Sequence, residues 1–93
     1  MATSSDTGEV IVYSLTTCGH CKSLRRHLDS LGVAYRVIYV DMLCGEERNR
    51  VRRRVRDLNP AFTFPTTVVG EVVVAGFNEA ALSAAVSDLM NQR

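Results

Sequence analysis

The sequence predicts an α/β fold in which a four-stranded mixed sheet is flanked by three helices in the order β-α-β-α-β-β-α. Three observations carry this. Short β-branched runs alternate with segments whose apolar residues recur every three or four positions, which is the pattern of strands joined by packed helices. The last two apolar runs are separated by only two residues, Gly70-Glu71, the signature of a tight antiparallel hairpin. At 93 residues the chain builds one core, with 46% hydrophobic and 23% charged residues close to the globular average.

The first strand covers Glu9–Leu15 (EVIVYSL), whose continuous apolar character suits a central strand buried on both faces. From Cys18 the period changes: Cys21, Leu24, Leu28 and Leu31 form a helical stripe that Gly32 stops. Ala34–Asp41 returns to β-branched and aromatic residues, so the first two strands are expected to be parallel across a helical crossover. Glu46–Leu58 carries Val51, Val55 and Leu58 on one face, with acidic residues in its first turn and Asn59-Pro60 at its end. Thr66–Val69 and Val72–Ala75 make the hairpin. Asn78 is placed to cap the last helix, whose buried stripe is Leu82, Val86 and Leu89 with Ala81 and Ala85 beside it. Residues 1–8 read as a flexible tail and 9–93 as a single domain.

Composition excludes several functions. No apolar stretch reaches the ~18 to 20 residues of a membrane span, and a net charge of +1 gives no global field for a nucleic acid or lipid surface. The second helix is locally basic, with six arginines against Glu46, Glu47 and Asp57, a balance of +3. It lacks the aromatics that stack bases and reads as a solvated face laced by pairs such as Glu46 with Arg50, with docking of an acidic partner as the functional alternative. The start MATSSDTG has neither a basic nor an apolar export region, so the expected compartment is the cytoplasm.

The chemistry lies in Cys18-Gly19-His20-Cys21. Two thiols stand where a strand becomes a helix, so Cys18 meets unpaired backbone N–H groups and the positive end of the helix dipole, where a thiolate is favoured. Cys18 is therefore the expected nucleophile, and Cys21, one turn on and facing the apolar side, the resolving thiol. Gly19 relaxes the turn, and His20, when protonated, further stabilises the thiolate and makes the disulfide more oxidising. A structural zinc site is disfavoured because only Cys18, Cys21, His20 and the distant Cys44 offer themselves as ligands. Cys44, alone in a loop, reads as incidental, and His27 as a surface residue.

These features resemble the glutaredoxin family of the thioredoxin-like superfold. The likeness runs from about Glu9 to Met90 and rests on Thr17-Cys18-Gly19-His20-Cys21-Lys22, on Thr63-Phe64-Pro65 before the hairpin, and on Gly76-Phe77-Asn78 before the last helix. It implies a dithiol–disulfide oxidoreductase acting on protein disulfides or glutathione mixed disulfides, with Pro65 cis and the Phe64 backbone clamping the substrate. It also implies substrate contacts at His20, Gly76, Phe77 and Asn78, the last serving as cap, ligand or both, with Glu79 beside it. Ala75-Gly76 stands where glutathione-using members have two glycines, and Leu15 where they carry a basic residue. The Gly-Phe-Asn segment is also similar to redoxins served by thioredoxin reductase, so glutathione and that reductase are both expected donors. The His in the Cys-Gly-His-Cys motif is similar to that of disulfide isomerases. No bound cofactor or metal is implied, and the chain is expected to act as a monomer without nucleic acid or membrane. A carrier of an iron-sulfur cluster or soft metal using Cys18 is the alternative, although copper-handling domains with this motif usually end in a strand and this chain ends in a helix.

Overall fold

A computed structural model describes residues 10–91; the expected tail at 1–8 lies outside the described residues. Strand β1 (Val10–Ser14) leads to helix α1 (Gly19–Leu31), strand β2 (Arg36–Tyr39), a single 3-10 turn (Val40–Met42), helix α2 (Gly45–Leu58), strands β3 (Thr66–Val69) and β4 (Val72–Ala75), and helix α3 (Glu79–Asn91). The sheet order is β2-β1-β3-β4. β1 pairs parallel with β2 and antiparallel with β3, and β3 pairs antiparallel with β4.

The expected order and strand pairings are those observed, and β1 is central, as its apolar run requires. Its side chains alternate between two cores. Val10 and Val12 pack on one face with Leu24 and Leu28 of α1, Val69 and Val74 of the hairpin, and Leu82, Val86 and Leu89 of α3. Ile11, Tyr13 and Leu15 face the other side, where Val55 of α2 is fully buried and Val51 and Leu58 pack at its margin. Ala85 is buried with the α3 stripe, whereas Ala81 is exposed rather than packed beside it.

β2 is shorter than the expected Ala34–Asp41. It is an edge strand, held on one side by β1, and register ends where Ser14 meets Tyr39. Beyond that point the chain coils into the 3-10 turn, which swings the Asp41 carboxylate toward the loop after β1.

The helix termini follow local chemistry. Gly32 sits at φ +72°, a conformation costly for other residues, and its N–H returns to the Asp29 carbonyl at 3.1 Å. Asn78 caps α3 through Oδ1, which accepts from the Ala81 N–H at 3.1 Å. Gly19 has no left-handed backbone, so the glycine freedom expected of it is not used there.

Candidate functional site

The sheet brings three chain ends together. β1 and β2 are parallel and β3 is antiparallel to β1, so the end of β1, the end of β2 and the start of β3 lie at one edge of the sheet. The Cys18 loop follows the first, Asp41 the second, and Pro65 precedes the third.

Cys18 is the N-cap of α1: its Sγ accepts the Cys21 N–H at 3.3 Å. The sulfur thereby satisfies one of the backbone N–H groups left unpaired at the start of the helix. Across the cleft the Cys18 thiol faces the Phe64 carbonyl at 3.9 Å. Phe64–Pro65 is a cis peptide, and the Pro65 carbonyl accepts the Gly76 N–H at 2.7 Å, which ties the Gly76-Phe77-Asn78 segment to the same edge. Gly76 has φ +75°, where a side chain would strain the backbone.

Cys21 lies one turn deeper and is 1% exposed. Burial pushes its thiol above the ordinary value, and the neighbouring Cys18 adds to the rise, against a smaller opposing contribution from Ser14. Both thiols are free. The pair is thus asymmetric, with one sulfur half-buried in a polar cap and the other in apolar surroundings that favour its protonated form. Among the described residues, no three His, Cys, Asp or Glu side chains gather in a way that could hold a metal.

The profile of the glutaredoxin family matches residues 10–74. The chain belongs to the glutaredoxin family. A glutaredoxin from Archaeoglobus fulgidus superposes with a TM-score of 0.80 at 38% identity, covering 85% of this chain and 86% of its own. The glutaredoxin from Methanosarcina mazei Go1 gives the same TM-score and identity over 86% of this chain and 79% of its own. Methanoredoxin from Methanosarcina acetivorans gives 0.79 at 34%, covering 86% and 85%. No curated protein matches. As a member of this family the chain is a thiol–disulfide oxidoreductase on a thioredoxin-like fold.

Two supports of the glutaredoxin site were not visible in the sequence. Asp41 accepts from the Thr16 N–H with Oδ1 at 3.1 Å and Oδ2 at 3.2 Å, and from the Thr16 hydroxyl at 2.6 Å. It clasps the loop two residues before Cys18. Asn59 is buried at the end of α2, and its Nδ2 donates to the Thr63 carbonyl and hydroxyl and to the Thr66 hydroxyl at 3.2, 3.0 and 3.0 Å. Thr66 in turn donates to the Thr63 carbonyl at 2.7 Å, so the segment around Pro65 is braced from below.

The hydrogen bonds from Thr16 hold the Asp41 carboxyl below its ordinary range, with the hydroxyl contact the larger cause. A carboxylate with a depressed folded-state pKa contributes stability above about pH 4, and that contribution is lost as pH falls through the folded value. Asp41→Asn is therefore expected to be less stable than the parent at neutral pH, with the gap closing in acid. Urea unfolding of both proteins across the acid range measures this; a gap independent of pH contradicts the clasp.

The remaining expected residues divide. His20 is exposed on the first turn of α1, and the hydrogen bond to the Cys18 sulfur comes from the Cys21 backbone. His27 is not a free surface residue: half-buried between α1 and α3, it pairs with the Ser83 hydroxyl at 2.8 Å and meets Phe77 edge-on, the ring centroids 6.3 Å apart. Cys44 is exposed at the N-cap of α2.

On the α2 side of Cys18, Leu15, Val40, Asp41, Leu43, Arg48, Arg52, Phe62 and Phe64 line an open pocket of about 400 Å³. Phe62 lies in the left-handed region at φ +53°, which costs a non-glycine residue on the order of 1 to 2 kcal/mol. Its ring packs edge-on against Phe64, with centroids 5.3 Å apart, and takes the guanidinium carbons of Arg52 at 5.2 Å and Arg56 at 4.7 Å over its face.

Proposed function

We propose that this chain reduces protein disulfides or glutathione mixed disulfides, with Cys18 attacking and Cys21 resolving. The observation that carries the reading is the unequal placement of the sulfurs, Cys18 capping α1 opposite the Phe64 carbonyl and Cys21 buried behind it. The Cys18 thiolate forms a bond to one substrate sulfur, and the other substrate sulfur leaves as a thiolate that takes a proton. Cys21 then gives up its proton to solvent and attacks the Cys18 sulfur. A Cys18–Cys21 disulfide forms and the second substrate thiol departs, two electrons having passed to the substrate. Two donor thiols, or a dithiol reductase, return them.

In this reading Phe64 offers its backbone to the substrate beside Pro65, and His20 and Phe77 form the rim. Asn78 has its Oδ1 engaged in capping, which leaves its side-chain amide and the adjacent helix start to meet a carboxylate. The protein works as a monomer in the cytoplasm, with glutathione or a thioredoxin reductase as its donor.

An NADPH-coupled assay separates the donors. Turnover with glutathione and glutathione reductase is expected if Ala75-Gly76-Phe77-Asn78 forms a glutathione site, and turnover with thioredoxin reductase alone identifies a thioredoxin-like redoxin on this scaffold. Silence with both donors, together with brown protein after anaerobic purification, would replace this reading with cluster carriage.

A further inference from the structure

The arginines of α2 fall into two sets. At 3.6 residues per turn, Arg48, Arg52 and Arg56 form one row along the helix, while Arg50, Arg53 and Arg54 lie on the other side. Acidic residues stand at pairing spacing only from the second set. Glu46 and Glu47 stand four and three residues before Arg50, and Asp57 four and three after Arg53 and Arg54. No acidic residue stands three or four positions from any member of the first row. All three of its arginines are exposed.

The row begins at the reactive cleft. Arg48 and Arg52 line the pocket that Phe64 closes, and Arg52 and Arg56 hold the Phe62 ring that packs on Phe64. The carbonyl of that same Phe64 faces the Cys18 sulfur. Asp41 is the one carboxylate on the pocket wall, and both its oxygens accept from Thr16. From Arg48 to Arg56 the row extends about 12 Å at 1.5 Å per residue, the reach of three or four residues of extended chain. That is longer than a single carboxylate requires.

We propose that this row docks an acidic polypeptide segment flanking the substrate disulfide, so that protein disulfides with aspartates and glutamates beside the cysteine are the preferred substrates. The inference rests on Cys18 as the attacking thiol. Guanidiniums at a solvated rim act through encounter and register more than through lasting affinity. The preference belongs in the second-order rate and fades as salt screens it.

The test mixes the fully reduced protein, without any donor, with three disulfide-linked peptides that differ only in carrying glutamates, glutamines or lysines on both sides of the cysteine. Acid-quenched samples are alkylated and the peptide thiol is counted by mass. The glutamate peptide is expected to react about tenfold faster than the glutamine peptide at about 20 mM salt and the lysine peptide more slowly still, with the spread collapsing at about 300 mM. Replacing the row, Arg48→Gln with Arg52→Gln and Arg56→Gln, is expected to bring the glutamate-to-glutamine ratio close to one. The matched triple variant Arg50→Gln, Arg53→Gln and Arg54→Gln is expected to keep it. Equal rates for the three peptides, or equal loss of preference in both triple variants, overturns the docking row while leaving disulfide reduction intact. Failure to reduce any peptide overturns the assignment of Cys18, and the docking row with it.

Discussion

Replacing Cys18 with serine is expected to abolish disulfide reduction, by a factor of at least ~10³, and to leave the fold intact. The reasoning has two halves. A serine hydroxyl is not a nucleophile toward disulfide sulfur under conditions in which a thiolate reacts, so the exchange has no first step. Serine is also among the best N-cap residues, and its oxygen can accept the Cys21 N–H that the Cys18 sulfur now accepts at 3.3 Å. The variant is expected to unfold within a few degrees of the parent, which separates lost chemistry from lost structure. Cys21→Ser behaves differently: the first step proceeds, resolution fails, and a mixed disulfide between Cys18 and the substrate accumulates. Intact-protein mass after mixing with a peptide disulfide reads both results. Normal turnover in Cys18→Ser, or a substrate adduct on Cys21 of the parent, would refute the division of labour.

Asn59→Ala is expected to be strongly damaging although it lies outside the cysteine pair. Asn59 is 5% exposed, and its amide nitrogen reaches three acceptors in the chain leading to β3. Truncation removes these hydrogen bonds and leaves a space beneath the Thr63–Thr66 segment, a loss of about 2 kcal/mol. For a domain of this size that lowers the melting temperature by roughly 10 °C. Asn59→Asp tests the cause, since a carboxylate preserves shape but cannot donate to the Thr63 carbonyl. It should be no better than alanine near neutral pH. Because the segment carries the Phe64 carbonyl, disulfide reduction is expected to fall along with stability in both variants. A melting temperature within a degree or two of the parent's in Asn59→Ala would show that the segment is held by other means.

The sequence conveyed the fold more completely than the site. Strand order depends on apolar runs, a two-residue turn and a helical crossover, all of which are local patterns. The run of β1 identified the central strand because only a strand with a helix on each face is apolar at every position. The lengths of edges were less legible: β2 stops at Tyr39 although Val40 and Asp41 continue its pattern, because where the chain leaves the sheet is decided by a bond to Thr16, 25 residues earlier. The cysteine motif and Pro65 stood out by residue type and spacing. Asn59 did not, because before a proline it reads only as a helix terminator. Phe62 adopts a backbone conformation that no phenylalanine favours, supported by arginines six and ten residues earlier on α2. Those contacts join residues whose individual propensities say nothing of one another. His27 illustrates the same limit, its partners Phe77 and Ser83 lying some fifty positions away.

The placement of both sulfurs within the first turn of one helix has a thermodynamic consequence. A disulfide closed between Cys18 and Cys21 encloses only a tiny ring, and in the chain-entropy picture such a ring takes about 2 kcal/mol from the unfolded state, less than the ~3 kcal/mol of a fifteen-residue loop. Oxidation therefore staples the molecule less than a bridge across a longer loop would. The balance between dithiol and disulfide is left to the few atoms around the two sulfurs, chiefly the Cys21 N–H and the apolar wall behind Cys21. A dithiol–disulfide couple at these two positions can be retuned by single nearby substitutions without first rebuilding the fold that holds it.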